Sequence, residues 1–549
     1  MSVPRPPAFN LLDEPWIPVL DRAARRRDVS LRQLFAEAGE VQTIACELPT
    51  QTLAVLRLAL AILHRASGGP HGEAAWRELW QDRRLPLTDI GDYLDAFADR
   101  FDLLHPEHPF YQVPDLKADK DNTYGLERLI ADVPNGLPYL TTRAAQGMER
   151  LTPAEAALWL LHCQAWDPAG IKTGAVGDVR VKNGKGYSIG VSSLGSLGAV
   201  HLEGATLLET LLLNLVPTAA NWREADDRDL PVWERDPQSA AEEGDATRGP
   251  FGLLSLYTWQ SRRIRLFGDR DGITGAMISI GDRFEWQDRQ SLEPMSVWGR
   301  SAPREKEQKR VVYLPRPHDH TRSLWRGLQT LLPPQPAAGG DAPQRLSPMV
   351  LQWLAHLWVT GAVGGDLPAR PRATSISYGT QQAVIDEVFS DSLTMNVQLL
   401  VEGSELRTAA VDGAADADRA VTELRRLAAN LARAAGGSDT GGDADRAAEE
   451  AYARLDKWFR EWLARLRPGT DAHQARQYWQ DRVRAELRSL ARDLVNAAGE
   501  KAWVGRVIAV DGRDTHYCSP LAEAWFRNGL ARALPLAPAA DDKKKEATV

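Results

Sequence analysis

Hydrophobic spacing changes character along the chain. Pro49 to Ala66 is apolar on nearly every face and opens on Pro-Thr, which predicts an internal helix. Before it, Phe9 to Leu20 is an apolar run interrupted by Asp13-Glu14-Pro15, the pattern of a strand, a tight turn and a second short strand. Trp76 to Arg84, Ile90 to Phe101, Pro153 to Cys163 and Ala205 to Leu215 read as further helices, while Gly252 to Leu266 and Met277 to Trp286 carry β-type residues. From about Leu399 the texture turns to Ala, Arg, Glu and Leu. Val421, Leu424, Ala428 and Leu431 keep helical spacing, as do Tyr452, Leu455, Phe459, Trp462 and Leu466, then Trp479, Val483, Leu487, Leu490 and Leu494, and finally the segment from Leu521 through Trp525 to Leu534. Four such stripes with short joints predict an antiparallel bundle. The acid-rich Glu224 to Gly249 reads as a surface excursion and Pro333 to Pro348 as a flexible connector.

Composition narrows the function. At 549 residues the chain is long enough for two or more domains, and 43% hydrophobic with 26% charged residues is an ordinary globular balance. Net charge is −8, so any nucleic-acid contact must come from local basic patches. Cys46, Cys163 and Cys518 are far apart and form no CxxC pair, which excludes a disulfide scaffold and suits a reducing compartment. The N-terminus lacks a basic-then-apolar signal, and the most apolar run, Leu53 to Leu63, is short and contains Arg57. The expectation is a cytoplasmic protein with no membrane partner.

The stretch Trp166 to Gly190, WDPAGIKTGAVGDVRVKNGKGYSIG, repeats glycine among Lys172, Arg180, Lys182 and Lys185. Glycine lets backbone approach another surface closely, and the interspersed cations make a polyanion the fitting surface. A nucleotide-binding loop is excluded, because Val179 stands where its first glycine belongs and Gly186 follows Lys185 in place of Ser or Thr. A surface hairpin of no special role is the alternative reading. Ser301 to Thr330 is a second basic stretch, readable as a nucleic-acid face or a solvated charged face. His318-Asp319-His320 alternates faces without an evident fourth ligand, and Pro106 and Pro109 break any helix that would align His105 with His108. Asn135 to Gly147 reads as an exposed loop, and Ala373 to Ala383, ATSISYGTQQA, as a polar turn whose adjacent glutamines have the reach to insert at a base step.

Taken together, FNLLDEPWIPV, HPFYQ, ERLIADVPNGLPYL, the glycine stretch running into GATLLETLLLNLV, SYGTQQA and the helical C-terminus resemble one family across essentially the whole chain. That family is the large subunit of the type I-E CRISPR Cascade complex, called CasA. The resemblance implies an α+β protein: a large mixed α/β N-terminal domain (1–395), a C-terminal four-helix bundle (396–535) and a disordered tail (536–549). It implies a non-catalytic DNA-recognition subunit that reads the protospacer-adjacent motif of double-stranded DNA from the minor groove and nucleates unwinding and R-loop formation. It further implies partners: the crRNA-containing backbone and small subunits and a trans-acting helicase-nuclease. Carried onto this chain, the glycine loop supplies Gly170, Lys172, Gly174, Gly177, Arg180, Lys182, Gly184 and Lys185. The wedge matches Gln381, Gln382 and Ala383, with Gln382 as the inserting side chain. The loop toward the complex core matches roughly Leu137 to Gln146, including Tyr139, Leu140, Thr141, Thr142 and Arg143. Relatives carry a lysine in a hairpin after Thr-Gly; here Thr274-Gly275 leads to Arg283 as the nearest cation. No cysteine lies in Leu266 to Gly272, so neither zinc nor another cofactor is expected. The competing readings are a structural scaffold without DNA readout and a metal-dependent nuclease.

Overall fold

The computed structural model describes residues 9–120, 124–133, 149–217, 226–243, 249–334, 341–437, 441–510 and 513–537. The chain divides into two compact units. The first comprises residues up to Thr321 together with Pro333–Ala362 and Arg370–Ser392. The second gathers Arg322–Leu332 and Val363–Ala369 with everything from Leu393 onward.

In the first unit the helix Pro49–Ala66 is buried on nearly every face, as its unbroken apolar pattern requires. Its one internal cation, Arg57, is matched by Glu293 at 2.9 Å, both side chains being almost fully enclosed. Beside it lies the helix Pro153–Trp166, started by a reciprocal Thr152–Glu155 capping box. Three antiparallel strands follow from short alternating segments: Ile17–Asp21 between Arg26–Val29 and Val41–Ile44. The residues ahead of Ile17, expected as a strand, are instead turns, because the Asn10 carbonyl takes up the Asp13 and Glu14 amides and Trp16 donates its indole N–H to Leu11.

Two hairpins matter for the site. Arg262–Asp269 pairs with Gly272–Ile280, and Pro371–Tyr378 pairs with both Ile385–Ser392 and Ala199–Leu202. The residues just before the first hairpin, expected as β, form the helix Leu253–Tyr257 instead, since the Asp229 carboxylate accepts from the Leu254 and Ser255 amides at 3.0 and 2.8 Å. That anchor also corrects the surface excursion: within its described part, Asp229, Trp233 and Gln238 are buried. Likewise the end of the expected connector, Arg345–Leu346, pairs as an edge strand with Trp298–Arg300.

The second unit is organised by the helices Glu405–Ala435, Gly441–Arg465, Ala472–Ala497 and Ser519–Ala533. Phe459, Trp462 and Trp479 pack ring on ring inside it, and the Trp479 indole donates to the Gly413 carbonyl at 2.8 Å. A short helix, Gly499–Val504, and a ribbon, Arg506–Val510 with Arg513–Tyr517, separate the third and fourth helices; neither was foreseen, being too short to show a period. Among the described residues no helix is long and apolar enough to cross a membrane.

Candidate nucleic-acid interface

The glycine stretch is a built element. Its ends are held by one side chain, Arg262, which is 2% exposed. Arg262 bonds the Asp167 carboxylate at 2.5 Å and donates to the carbonyls of Pro168 at 3.1 Å and Gly190 at 2.9 Å. Ser192 closes the same junction by donating its amide to the Asp167 carbonyl and its hydroxyl to the Cys163 carbonyl. Inside, Lys172–Thr173 pairs with Lys185–Gly186, and the Gly174 amide reaches the Gly184 carbonyl. A Cβ on Gly174 would meet that carbonyl carbon at 2.7 Å and Val181 at 2.5 Å, so only glycine lets the strands close here. The tip is Lys182-Asn183-Gly184-Lys185, with Asn183 and Gly184 both at positive φ and paired amides between the flanking lysines. That is the Asn-Gly two-residue turn, a hairpin signal carried by the sequence itself but hidden there among the other glycines.

The cations separate by burial. Lys172 is only 10% exposed and its ammonium sits 2.6 Å from Asp167, so it is spent inside the protein rather than offered to a phosphate. Burial alone would raise the Asp167 carboxyl, but Lys172 and Arg262 outweigh it and hold the pKa below the usual carboxylate value. Burial pushes the Lys172 ammonium down despite that partner. Arg180 is also engaged, with both carboxylate oxygens of Asp178, with Glu242 and with the Gly281 carbonyl. Lys182 and Lys185 are exposed and form no ion pair among the described residues. The structure adds two exposed cations, Lys117 opposite Val176 and Lys120 at the tip. The segment Lys117–Lys120 runs antiparallel to the stretch, with Val176 donating to Lys117 and Asp119 to Gly174, and the Lys120 side chain lies against Gly184. The neighbouring Asp115 and Asp119 hid this pair of lysines in the sequence.

The glutamine turn joins the same element. Gln381 and Gln382 are exposed and both lie at positive φ, 57° and 56°, while Ala383 donates its amide back to Thr380 at 3.2 Å. Two successive left-handed glutamines cost about 1–2 kcal/mol each and persist only where their surroundings over-determine them. The determinant is the Ala169 amide, which donates to the Gln382 carbonyl at 2.7 Å. Gly170 then faces Ala383, and the Tyr378 hydroxyl donates to the Trp166 carbonyl at 2.7 Å. A cleft of about 120 Å³ runs between Gly170, Lys172, Ala383 and the segment from Glu127 to Val133.

Other expected positions fall elsewhere. Arg283 lies beyond the end of its strand rather than on the hairpin, pairs with Glu285 at 3.1 Å and lines a different cleft. The loop residues Tyr139, Leu140, Thr141, Thr142 and Arg143 lie outside the described residues. Within the Ser301–Thr330 stretch much of the charge is balanced locally: Arg304 by Glu307, Arg310 by Asp288, Arg326 by Asp418. His318 stacks on Phe389, and among the described residues no group of three or more His, Cys, Asp or Glu gathers around a common point.

Fold and site define a large two-unit α+β protein that presents a riveted, lysine-bearing glycine hairpin against a strained amide turn. The chain belongs to the CRISPR-associated protein Cse1 family (CRISPR_cse1), whose model matches residues 10–490. It is 33% identical over 334 residues to the CRISPR-associated protein CasA/Cse1 of Thermus thermophilus, covering 60% of this chain; the chain spans 61% of that relative's length. Among solved structures, Thermobifida fusca Cse1 is similar with a TM-score of 0.89 and 44% identity, covering 97% of this chain and 99% of the other. A chain of a CRISPR RNA-guided surveillance complex shares the fold at 20% identity, with a TM-score of 0.57 over 90% of this chain and 100% of its own.

Proposed function

We propose that this chain is a non-catalytic DNA-recognition subunit of an RNA-guided antiviral surveillance complex. In this reading it meets the protospacer-adjacent motif of double-stranded target DNA from the minor groove and starts duplex opening and R-loop formation. Its partners are the crRNA-containing backbone and small subunits of Cascade and a trans-acting helicase-nuclease that it helps recruit. Residues 1–395 serve motif recognition, with Tyr139 to Arg143 reaching the complex core, and residues 396–535 serve docking.

The observation that carries this reading is the Ala169–Gln382 hydrogen bond, which locks an outward, strained amide turn onto a glycine hairpin more than two hundred residues away in sequence. Bare backbone at Gly170 and Gly177 allows close approach to base edges, and Lys117, Lys120, Lys182 and Lys185 suit the flanking phosphates. Minor-groove readout mainly separates A·T from G·C, so a family of related motifs is accepted rather than one. Gln382 acts as a wedge under the motif. It needs to tip only the first step, about 1.4 kcal/mol of stacking, because pairing with the guide offsets later steps. In the assembled complex Gln382→Ala is expected to slow motif-dependent duplex opening about tenfold, followed by 2-aminopurine fluorescence next to the motif, with subunit assembly retained. Unchanged opening in the assembled variant sinks the wedge.

A further inference from the structure

A second cleft is lined by Arg262 and by Gly190, where the stretch ends. It holds about 370 Å³, room enough for a planar base. Part of its wall is aromatic. Trp259 packs against Phe284 with ring centres 5.4 Å apart, and Phe284 meets Trp286 edge-on at 3.8 Å. All three line the cleft, Trp259 buried and Phe284 and Trp286 half-buried. Cations stand at the rim: Arg283, 67% exposed, and Arg304, 54% exposed. Their acid partners, Glu285 and Glu307, are equally exposed at 3.1 and 3.3 Å, pairs weak enough in water for a phosphate to displace. Gln287, also on the wall, is already held by a reciprocal amide pair with Gln308 at 3.0 and 2.9 Å. The remaining charges in the cleft are already matched, Asp282 by Arg263 and Arg262 by Asp167.

Aromatic faces flanked by arginines in an open cleft are the chemistry of single-stranded nucleic acid, since every base offers a π-face and every nucleotide a phosphate. We infer that this cleft takes an unstacked nucleobase of a single-stranded segment against Phe284 and Trp286, with Arg283 and Arg304 on its phosphates. A duplex cannot enter in this way, because its bases are covered by their neighbours. The inference gives Arg283 a role apart from motif readout and does not depend on Gln382.

The test uses the full chain, a fluorescently labelled oligothymidine and an abasic oligomer of equal length, with binding read by anisotropy at low salt. Oligothymidine is expected to bind several-fold more tightly than the abasic strand. Trp286→Ala should weaken oligothymidine binding about tenfold, as loss of one stacked base does, and leave the abasic strand unaffected. Trp286→Phe, which keeps a stacking face, should restore binding to within about twofold, and this separates lost stacking from a misfolded cleft. Arg283→Ala with Arg304→Ala should weaken both strands alike. Equal binding of the two strands by the unaltered protein, no measurable binding of either, or a Trp286→Ala variant that still prefers oligothymidine would overturn the inference. Oligothymidine has no duplex to open, so failure of the wedge and failure of this cleft are distinguishable.

Discussion

Positive φ at Gln381 and Gln382 is the clearest mark of function at the scale of single residues, because a two-residue turn built for stability alone would use Asn or Gly there, as Asn183-Gly184 does. Residue identity was legible in the sequence, but allegiance was not. Lys172 and Lys185 look alike in a string of glycines, yet one is enclosed with Asp167 and the other faces solvent. Buried histidines show the same divergence. His162 and His201 are both sealed in the first unit, and burial pushes each imidazole down to about 4. The neutral form is therefore the folded one, while the unfolded chain titrates near 6.5. Their stabilisation is complete above about pH 6.5 and is lost progressively as pH falls toward 4, by up to about 3 kcal/mol each. The urea midpoint of the first unit should drop between pH 7 and pH 5. A His162→Gln, His201→Gln double variant should flatten that slope, and an equal slope in both proteins would refute the assignment.

At the scale of elements, the 166–190 stretch illustrates how a loop-like composition becomes a fixed device. Asn-Gly turns the tip, Gly174 lets the strands close, and Arg262 draws the two ends together. A loop so held spends little ordering entropy on meeting DNA. The lysines on it should then divide by experiment. Lys182→Ala with Lys185→Ala is expected to leave stability unchanged and to lower the salt dependence of duplex binding by about two counterions, independent of sequence. Lys172→Ala should do the reverse, costing about 1–3 kcal/mol of unfolding free energy by stripping a buried carboxylate of one partner. A salt slope that falls with Lys172→Ala and holds with the double variant would reverse these roles.

Across the whole molecule, a net charge of −8 confines DNA attraction to a few local cations, which suits brief sampling of non-target duplex. Two units with separate cores also predict unfolding in more than one step. Trp479 is fully buried between Trp462 and Phe459. Trp479→Ala should destabilise the second unit by about 3–5 kcal/mol, moving one transition in denaturant followed by circular dichroism and leaving the other in place. A single transition that moves as a whole would show that the bundle has no stability of its own.

The bundle was readable in advance because apolar residues at 3.6-residue spacing leave a helix no other way to hide its stripe, and the long helix at residue 49 because a helix apolar on nearly every face must lie inside. The family was readable because its segments recur in order. Short elements were not, since neither the ribbon after Val504 nor the helix at Leu253 is long enough to show a period. The contacts that assemble the site belong to tertiary structure alone. A backbone hydrogen bond between Ala169 and Gln382, a guanidinium gathering Pro168 with Gly190, and lysines from two distant segments meeting at one tip have no local signature. They exist only once the two sheets and the core helix bring remote backbone into register.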